Sequence, residues 1–274
     1  MTFAEYCAID AVNWSKLKLM DESAAAYRYA EQNNREDTDT FIIGRYVHAL
    51  TLEPGKVGER YAIWRGGRRA GKEWDAFLEA ATHDGKVVLR EQDMEECHAM
   101  AASLRANPDV RAIIDEVGAL FEQPVTWTDP GTGLPCKMMG DIICPDSRSL
   151  FDLKTAQSID VRRFGSAIAR LGYHGQIAHY TRGIFHHYGW VPKRVGNIVV
   201  EKSPPYDCAV FEYEEDVRDA GDEMVTRLMH ELAECKATNR WPGRYAAPVP
   251  LNSNNLPPWI FGGSGLPDMG FTED

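Results

Sequence analysis

Two aspartates and a lysine are spaced so that they could form one site on neighbouring strands. Asp141 begins an apolar strand segment, and Asp152 follows eleven positions later in the sequence Phe-Asp-Leu-Lys-Thr. Because side chains alternate between the faces of a strand, Asp152 and Lys154 point to one face while Leu153 points into the core. If the two strands pair across the turn at 145–148, Asp141 lies beside Asp152.

Such a group has a definite chemistry. Adjacent carboxylates repel each other unless a positive charge lies between them, and a divalent cation with hard oxygen ligands supplies that charge. A lysine beside the cation can orient an attacking water, help to deprotonate it, or balance phosphate charge. Exposed acids on a hairpin with a surface lysine would give the same short pattern, so this segment alone does not decide between the two interpretations.

Two segments elsewhere in the chain could complete the site. His48 lies among apolar residues of a predicted helix, where a histidine is more commonly a satisfied core residue than a ligand. Gln176 and Tyr180 are four positions apart in another predicted helix and therefore share one of its faces. A polar stripe on a surface helix is the alternative interpretation for that pair.

The elements that must position these residues follow from periodicity and turn signals. Helices are predicted over residues 11–30, 40–53, 73–82, 90–106, 161–188 and 214–237. Strands are predicted over 122–128, 137–144, 150–155 and 195–201. This order predicts an α/β (α+β) fold in which helices flank a central mixed sheet. We expect a single domain over 1–240, with a mainly helical layer at 1–110 that carries His48 and a sheet with its helices at 111–240. A tail rich in proline and glycine follows at 241–274.

Composition and charge indicate where the protein acts and which ligands it can bind. The net charge of -11 is unusual for a protein that binds phosphates, but basic residues cluster in a glycine-rich segment that includes Arg65, Arg68, Arg69 and Lys72. Six cysteines without a CxxC pair indicate reduced thiols and a cytoplasmic protein. The sequence shows neither a secretion signal nor an apolar run near the ~20 residues of a membrane span.

Taken in order, the motifs resemble the PD-(D/E)xK nuclease superfamily, with Asp152 where many members carry glutamate. The histidine helix and the Gln-x-x-x-Tyr element are similar to those of its RecB-like branch. Further segments around 70–74, 127–137 and 200–206 look like the RecE-type (exonuclease VIII) domain of phage recombination. The likeness covers most of residues 10–235.

The resemblance implies a restriction-endonuclease-like core and Mg²⁺-dependent hydrolysis of double-stranded DNA from the 5′ end, leaving a 3′ single strand. Mn²⁺ is expected to substitute for Mg²⁺. The implied metal ligands and catalytic groups are His48, Asp141, Asp152, the Leu153 backbone carbonyl, Lys154, Gln176 and Tyr180, with Glu122 as a further acid. The basic segment is expected to contact DNA. The implied partners are duplex ends, a single-strand annealing protein and a ring of identical subunits, in a bacterial host carrying a phage or prophage gene.

One departure and three alternatives accompany this resemblance. Relatives often carry an arginine just before the first aspartate, where this chain has Met-Met-Gly, so Arg45 or Arg148 would have to compensate. A RecB-like or CRISPR-associated nuclease with an iron–sulfur cluster needs more clustered cysteines, and no such cluster is expected. A silent DNA-binding protein would not need the complete set of site residues. An unrelated hydrolase of small molecules would carry other motifs.

Overall fold

The computed structural model describes residues 3–33, 38–245, 247–257 and 260. Seven strands occur in these residues: β1 Tyr61–Trp64, β2 Val87–Arg90, β3 Leu120–Thr128, β4 Pro135–Cys144, β5 Ser149–Ala156, β6 Arg194–Glu201 and β7 Cys208–Glu212. The N-terminal helices are α1 Phe3–Ala8, α2 Trp14–Leu17, α3 Ala24–Gln32, α4 Asp39–Leu52, α5 Val57–Arg60, α6 Lys72–His83, α7 Glu91–Ala106 and α8 Pro108–Ile114. The later helices are α9 Val161–Leu171, α10 Tyr173–Tyr188 and α11 Glu215–Thr238.

The main sheet has five strands in the order β3-β4-β5-β6-β7. The first three form an antiparallel meander, β5 and β6 run parallel, and β7 returns antiparallel to β6. The parallel step needs a long crossover, which α9 and α10 supply. The sheet is therefore mixed, as predicted, and β1 and β2 form a separate two-stranded parallel pair.

Apolar side chains on the two faces of the sheet enter two different cores. Leu150 and Val195 pack with residues of α2, α3, α10 and α11. Phe151 and Ile198 lie one and three positions further along the same strands, so they point to the other face, and they pack with residues of α4, α7 and α8. This is the alternation of a sheet buried on both faces. The N-terminal helices thus contribute to both flanking layers.

Several elements differ from the sequence-based expectations. The helix predicted over 11–30 is broken by a 3-10 turn at Lys18–Asp21. The long helix predicted over 161–188 is two helices, because Gly172 adopts a left-handed conformation with φ of 71° between them. The strands β1, β2 and β7 and the helix α8 were not predicted, since each is short and shows little periodicity.

The extent of the single domain, 1–240, stays a prediction. Beyond α11 the described part of the tail contains no long helix or strand, and most of it is exposed. Residues 246, 258–259 and 261–274 of the predicted tail lie outside the described residues. Among the described helices, none is both long enough and apolar enough to span a membrane.

Candidate active site

The two central strands separate at the point where the aspartates lie. The pairing of β4 with β5 ends at Ile142 opposite Phe151. Beyond that pair, the Asp141 side chain links the two strands, because its Oδ2 accepts a hydrogen bond of 2.9 Å from the Leu153 backbone N–H. A carboxylate thus replaces a backbone carbonyl in the ladder and becomes fixed beside β5.

Two side chains from other elements, His48 on α4 and Glu122 on β3, converge on Asp141. The Nδ1 atom of His48, on α4, lies 3.4 Å from Asp141 Oδ2 and 3.5 Å from Glu122 Oε1. One ligand atom from each of these residues lies within 4.8 Å of the others. An imidazole and two carboxylates at this separation are donors suited to a divalent cation.

Glu122 lies at a strained position in β3. The flanking pairs, Phe121 with Ile142 and Gln123 with Gly140, place Glu122 directly opposite Asp141. Its φ of 47° is in the left-handed region, which costs a non-glycine residue about 1–3 kcal/mol. The strand pairs on either side of Glu122 stabilise this conformation. At this position the Glu122 carboxylate lies next to His48.

Burial and mutual repulsion shape the ionisation of the cluster. Burial raises the pKa of Asp141, with His48 opposing the rise, and raises the pKa of Asp152 to about 6, with Lys154 opposing. Burial would lower the pKa of His48, but Asp141 and Glu122 outweigh it and raise that pKa to about 9. The site therefore holds protons that a bound cation would displace.

Lys154 and Asp152 form an ion pair on the same face of β5, as the alternation of strand side chains predicted. Lys154 Nζ lies 2.5 Å from Asp152 Oδ2 and 4.8 Å from the centre of the Tyr173 ring. Burial would lower the pKa of Lys154, but the Asp152 and Asp141 carboxylates raise it overall. Lys154 is thus held as an ammonium ion that can donate hydrogen bonds but cannot accept a proton.

The helix α10 presents Gln176 and Tyr180 to Asp152. Gln176 Nε2 donates to Asp152 Oδ1 at 2.7 Å and to the Tyr180 hydroxyl at 3.1 Å. Gly175 lets α10 pack closely against α2, because a Cβ atom at this position would overlap the ring of Trp14. The expected contact of these two side chains with phosphate stays a prediction, and their contact in the structure is with Asp152.

Two site residues were missed by sequence reasoning. Asn197 on β6 donates from Nδ2 to Asp152 Oδ2 at 3.3 Å, and the Tyr213 hydroxyl donates to Asn197 Oδ1. The signal for Asn197 was present, since it is a single amide in the apolar run Val195–Val200, and a buried amide needs partners. Nothing in the local sequence marks Tyr213.

Arg45 and Arg148 are the two arginines expected to compensate for the Met-Met-Gly segment before Asp141. Arg45 lies nearer to the site than Arg148. It precedes His48 by three positions and so shares a face of α4 with it. Burial raises the pKa of Tyr61 to about 12, and Arg45 opposes this rise while Glu122 adds to it, so Arg45 and Glu122 both lie near Tyr61. Arg148 lies at the far end of β5, four residues or roughly 13 Å before Asp152.

The basic segment before α6 is only partly available for a ligand. Arg65 pairs with Glu91 at 3.2 Å, and Arg69 pairs with Asp39 at 3.0 Å. Arg68 and Lys72 are exposed. The Asp39 contact ties the segment to the first turn of α4, roughly 14 Å along the helix axis from His48.

A family model and one solved structure agree on the fold. A family model described as "PDDEXK-like domain of unknown function (DUF3799)" matches residues 13–247. A solved structure from Eubacterium rectale, which carries an exonuclease designation, is similar with a TM-score of 0.63 at 13% identity, covering 92% of this chain and 96% of that one. A phage-related exonuclease from Haemophilus somnus 129PT matches with a TM-score of 0.36 at 10% identity, covering 84% and 96%. No curated protein matches the chain.

The family match confirms the predicted PD-(D/E)xK superfamily and, with the five-stranded mixed sheet, the predicted fold class. The similarity to the Eubacterium rectale structure, at 13% identity, supports the fold alone. The roles of individual residues rest on the geometry of this chain.

Proposed function

Because the chain belongs to the DUF3799 family of PDDEXK-like domains, we propose that it is a metal-dependent exodeoxyribonuclease that digests linear double-stranded DNA. The observation that carries this proposal is the group formed by the half-buried His48 and Glu122 and the buried Asp141, beside the Asp152–Lys154 pair. A role in stability alone does not explain why two buried carboxylates and the half-buried Glu122 gather around one histidine, because their desolvation and mutual repulsion oppose folding.

The donor set fits Mg²⁺, with Mn²⁺ as a substitute. His48, Glu122 and Asp141 would hold the cation, and Asp152 and the Leu153 backbone carbonyl would complete its surroundings. Carboxylate oxygens suit both ions, and the imidazole favours Mn²⁺ over Mg²⁺. When bound, the cation supplies positive charge that stabilises the charge developing on the scissile phosphate.

The side chains have distinct parts in this proposal. Lys154, kept protonated by its carboxylate neighbours, donates a hydrogen bond that orients the nucleophilic water. Gln176 and Tyr180 hold Asp152 and position the scissile phosphate or the terminal nucleotide. Arg45, on the same helix face as His48, contacts the neighbouring phosphate in place of the family's missing arginine.

The finer features of the proposed activity come from the family resemblance. The chain would digest from 5′ to 3′ in a bacterial cytoplasm and leave 3′ single-stranded overhangs. A single-strand annealing protein would use these overhangs in phage-type recombination. A ring of identical subunits would hold the duplex during processive digestion.

The basic segment offers a proposed contact for the duplex at the entrance to the site. Since Arg65 and Arg69 form ion pairs, the exposed Arg68 and Lys72 are the side chains of this segment most able to bind phosphate. Replacing Arg68 with alanine should weaken duplex binding and reduce the slope of log Kd against log salt by about 0.9, the effect of one lost phosphate contact. Fluorescence anisotropy at several salt concentrations measures this slope. An unchanged slope would exclude Arg68 from the interface.

The proposed activity is tested with linear duplexes labelled at either the 5′ or the 3′ end, incubated with and without Mg²⁺. We expect digestion that needs the metal and releases the 5′ label first. A covalently closed circular duplex is the control substrate and should remain intact. Cleavage of the circle would indicate an endonuclease, and no cleavage of any duplex with Mg²⁺ or Mn²⁺ would overturn the proposal.

A further inference from the structure

A chain of buried hydrogen bonds approaches Asp152 from the side opposite to Gln176. Asn197 is the direct register partner of Asp152 in the parallel β5–β6 pair and is completely buried. Its Nδ2 donates both to the Asp152 backbone carbonyl and to Asp152 Oδ2, each at 3.3 Å. The Tyr213 hydroxyl, also buried, donates to Asn197 Oδ1.

The orientation of this amide follows from its neighbours. A carboxylate offers only acceptors, so the NH₂ group of Asn197 must face Asp152 and its carbonyl must face away. A tyrosine hydroxyl is the donor that this carbonyl meets. Tyr213 therefore fixes Asn197, and Asn197 in turn fixes one oxygen of Asp152.

The two oxygens of Asp152 are consequently held from different elements. Oδ1 accepts from Gln176 on α10, and Oδ2 accepts from Asn197 on β6 and pairs with Lys154. With both oxygens held, the carboxylate cannot rotate about its Cβ–Cγ bond without breaking a buried hydrogen bond. A ligand or catalytic carboxylate benefits from such restraint because reaction rate depends on the orientation of the reacting groups.

The geometry points to Asn197 and Tyr213 as positioning residues that set the orientation of the Asp152 carboxylate for catalysis. The inference rests on the proposed nuclease function. It extends the site from the separated ends of β4 and β5 to β6 and to the residue just after β7. The Tyr213 hydroxyl donates its hydrogen bond to Asn197 and acts on Asp152 through that amide.

The test uses Tyr213→Phe, Asn197→Ala and the double variant in the full chain. We expect kcat on linear duplex DNA to fall about tenfold for Tyr213→Phe and ten- to a hundredfold for Asn197→Ala, with little change in KM. Because Tyr213 acts through Asn197, Tyr213→Phe should have almost no further effect on kcat in the Asn197→Ala background. Calorimetric titration with Mn²⁺ alone should show weaker binding in the same order.

Tyr27→Phe is the matched control, since Tyr27 is a buried tyrosine that stacks on Trp241, away from the site. It should leave kcat and Mn²⁺ binding unchanged. If Tyr213→Phe behaves like Tyr27→Phe, or if the effects of the two substitutions on kcat multiply, the inference is wrong. An inactive wild-type protein would instead overturn the proposed function, and the Mn²⁺ titration would still test the positioning of Asp152. Should Asn197→Ala fail to fold, Tyr213→Phe alone decides the matter, because it removes only one hydroxyl.

Discussion

Replacing Asp152 with asparagine should reduce hydrolysis of linear duplex DNA by about a thousandfold or more, equivalent to about 4 kcal/mol of transition-state stabilisation. The substitution keeps the shape of the side chain and removes its charge. Without that charge the site loses a carboxylate beside the metal donors, and Lys154 loses its counter-ion. The measurement is a single-turnover rate at saturating Mg²⁺, with folding checked by circular dichroism.

A second substitution, Lys154→Met, separates the effect of Asp152→Asn on catalysis from its effect on stability. Asp152→Asn leaves the half-buried Lys154 ammonium without its nearest partner, so the unfolding temperature of the variant should fall. Adding Lys154→Met removes the second charge and should recover much of that loss while the protein stays inactive. Asp146→Asn, at an exposed position in the turn between β4 and β5, is the control and should be fully active. Normal digestion by Asp152→Asn would refute the assignment of this carboxylate.

The order of the site along the chain could be predicted because strand alternation and helix spacing are local. Asp152 and Lys154 share a face, and Gln176 and Tyr180 share another, for reasons contained within a few residues each. The break at Gly172 was missed, since the apolar pattern continues through a glycine that is left-handed only in the folded chain. Short strands such as β7 offered too few residues to show a period.

The cross-strand contacts could not be predicted in the same way. Glu122 meets Asp141 because β3 pairs with β4 in one particular register, and a shift of one residue would point Glu122 elsewhere. Asn197 meets Asp152 across 45 positions of sequence, after a crossover of two helices. The polar character of each residue was visible, but the partner that gives it a role depends on tertiary structure.

Affinity for Mn²⁺ should rise roughly seventyfold between pH 6.5 and 8.5, because the imidazole of His48 must lose a proton before it can bind a metal. Burial opposes protonation of His48, yet Asp141 and Glu122 raise its pKa to about 9. Below that pH the proton competes with the metal, so binding tightens as pH rises and levels off above about 9. Asp141, whose pKa is also raised by burial, contributes in the same direction at the acidic end.

Calorimetric titration in two buffers of different ionisation enthalpy measures both the affinity and the protons released. We expect nearly one proton per Mn²⁺ at pH 7, and a smaller release at pH 8.5. In His48→Gln the ligand has no titrating proton, so binding should be weaker and its pH slope shallower, and the remaining slope measures the carboxylates. Equal slopes in the two proteins would show that His48 is not a ligand. The same competition predicts that DNA hydrolysis at limiting Mn²⁺ increases with pH, whereas the rate at saturating Mn²⁺ loses that part of its dependence, since excess metal displaces the proton at any pH in this range.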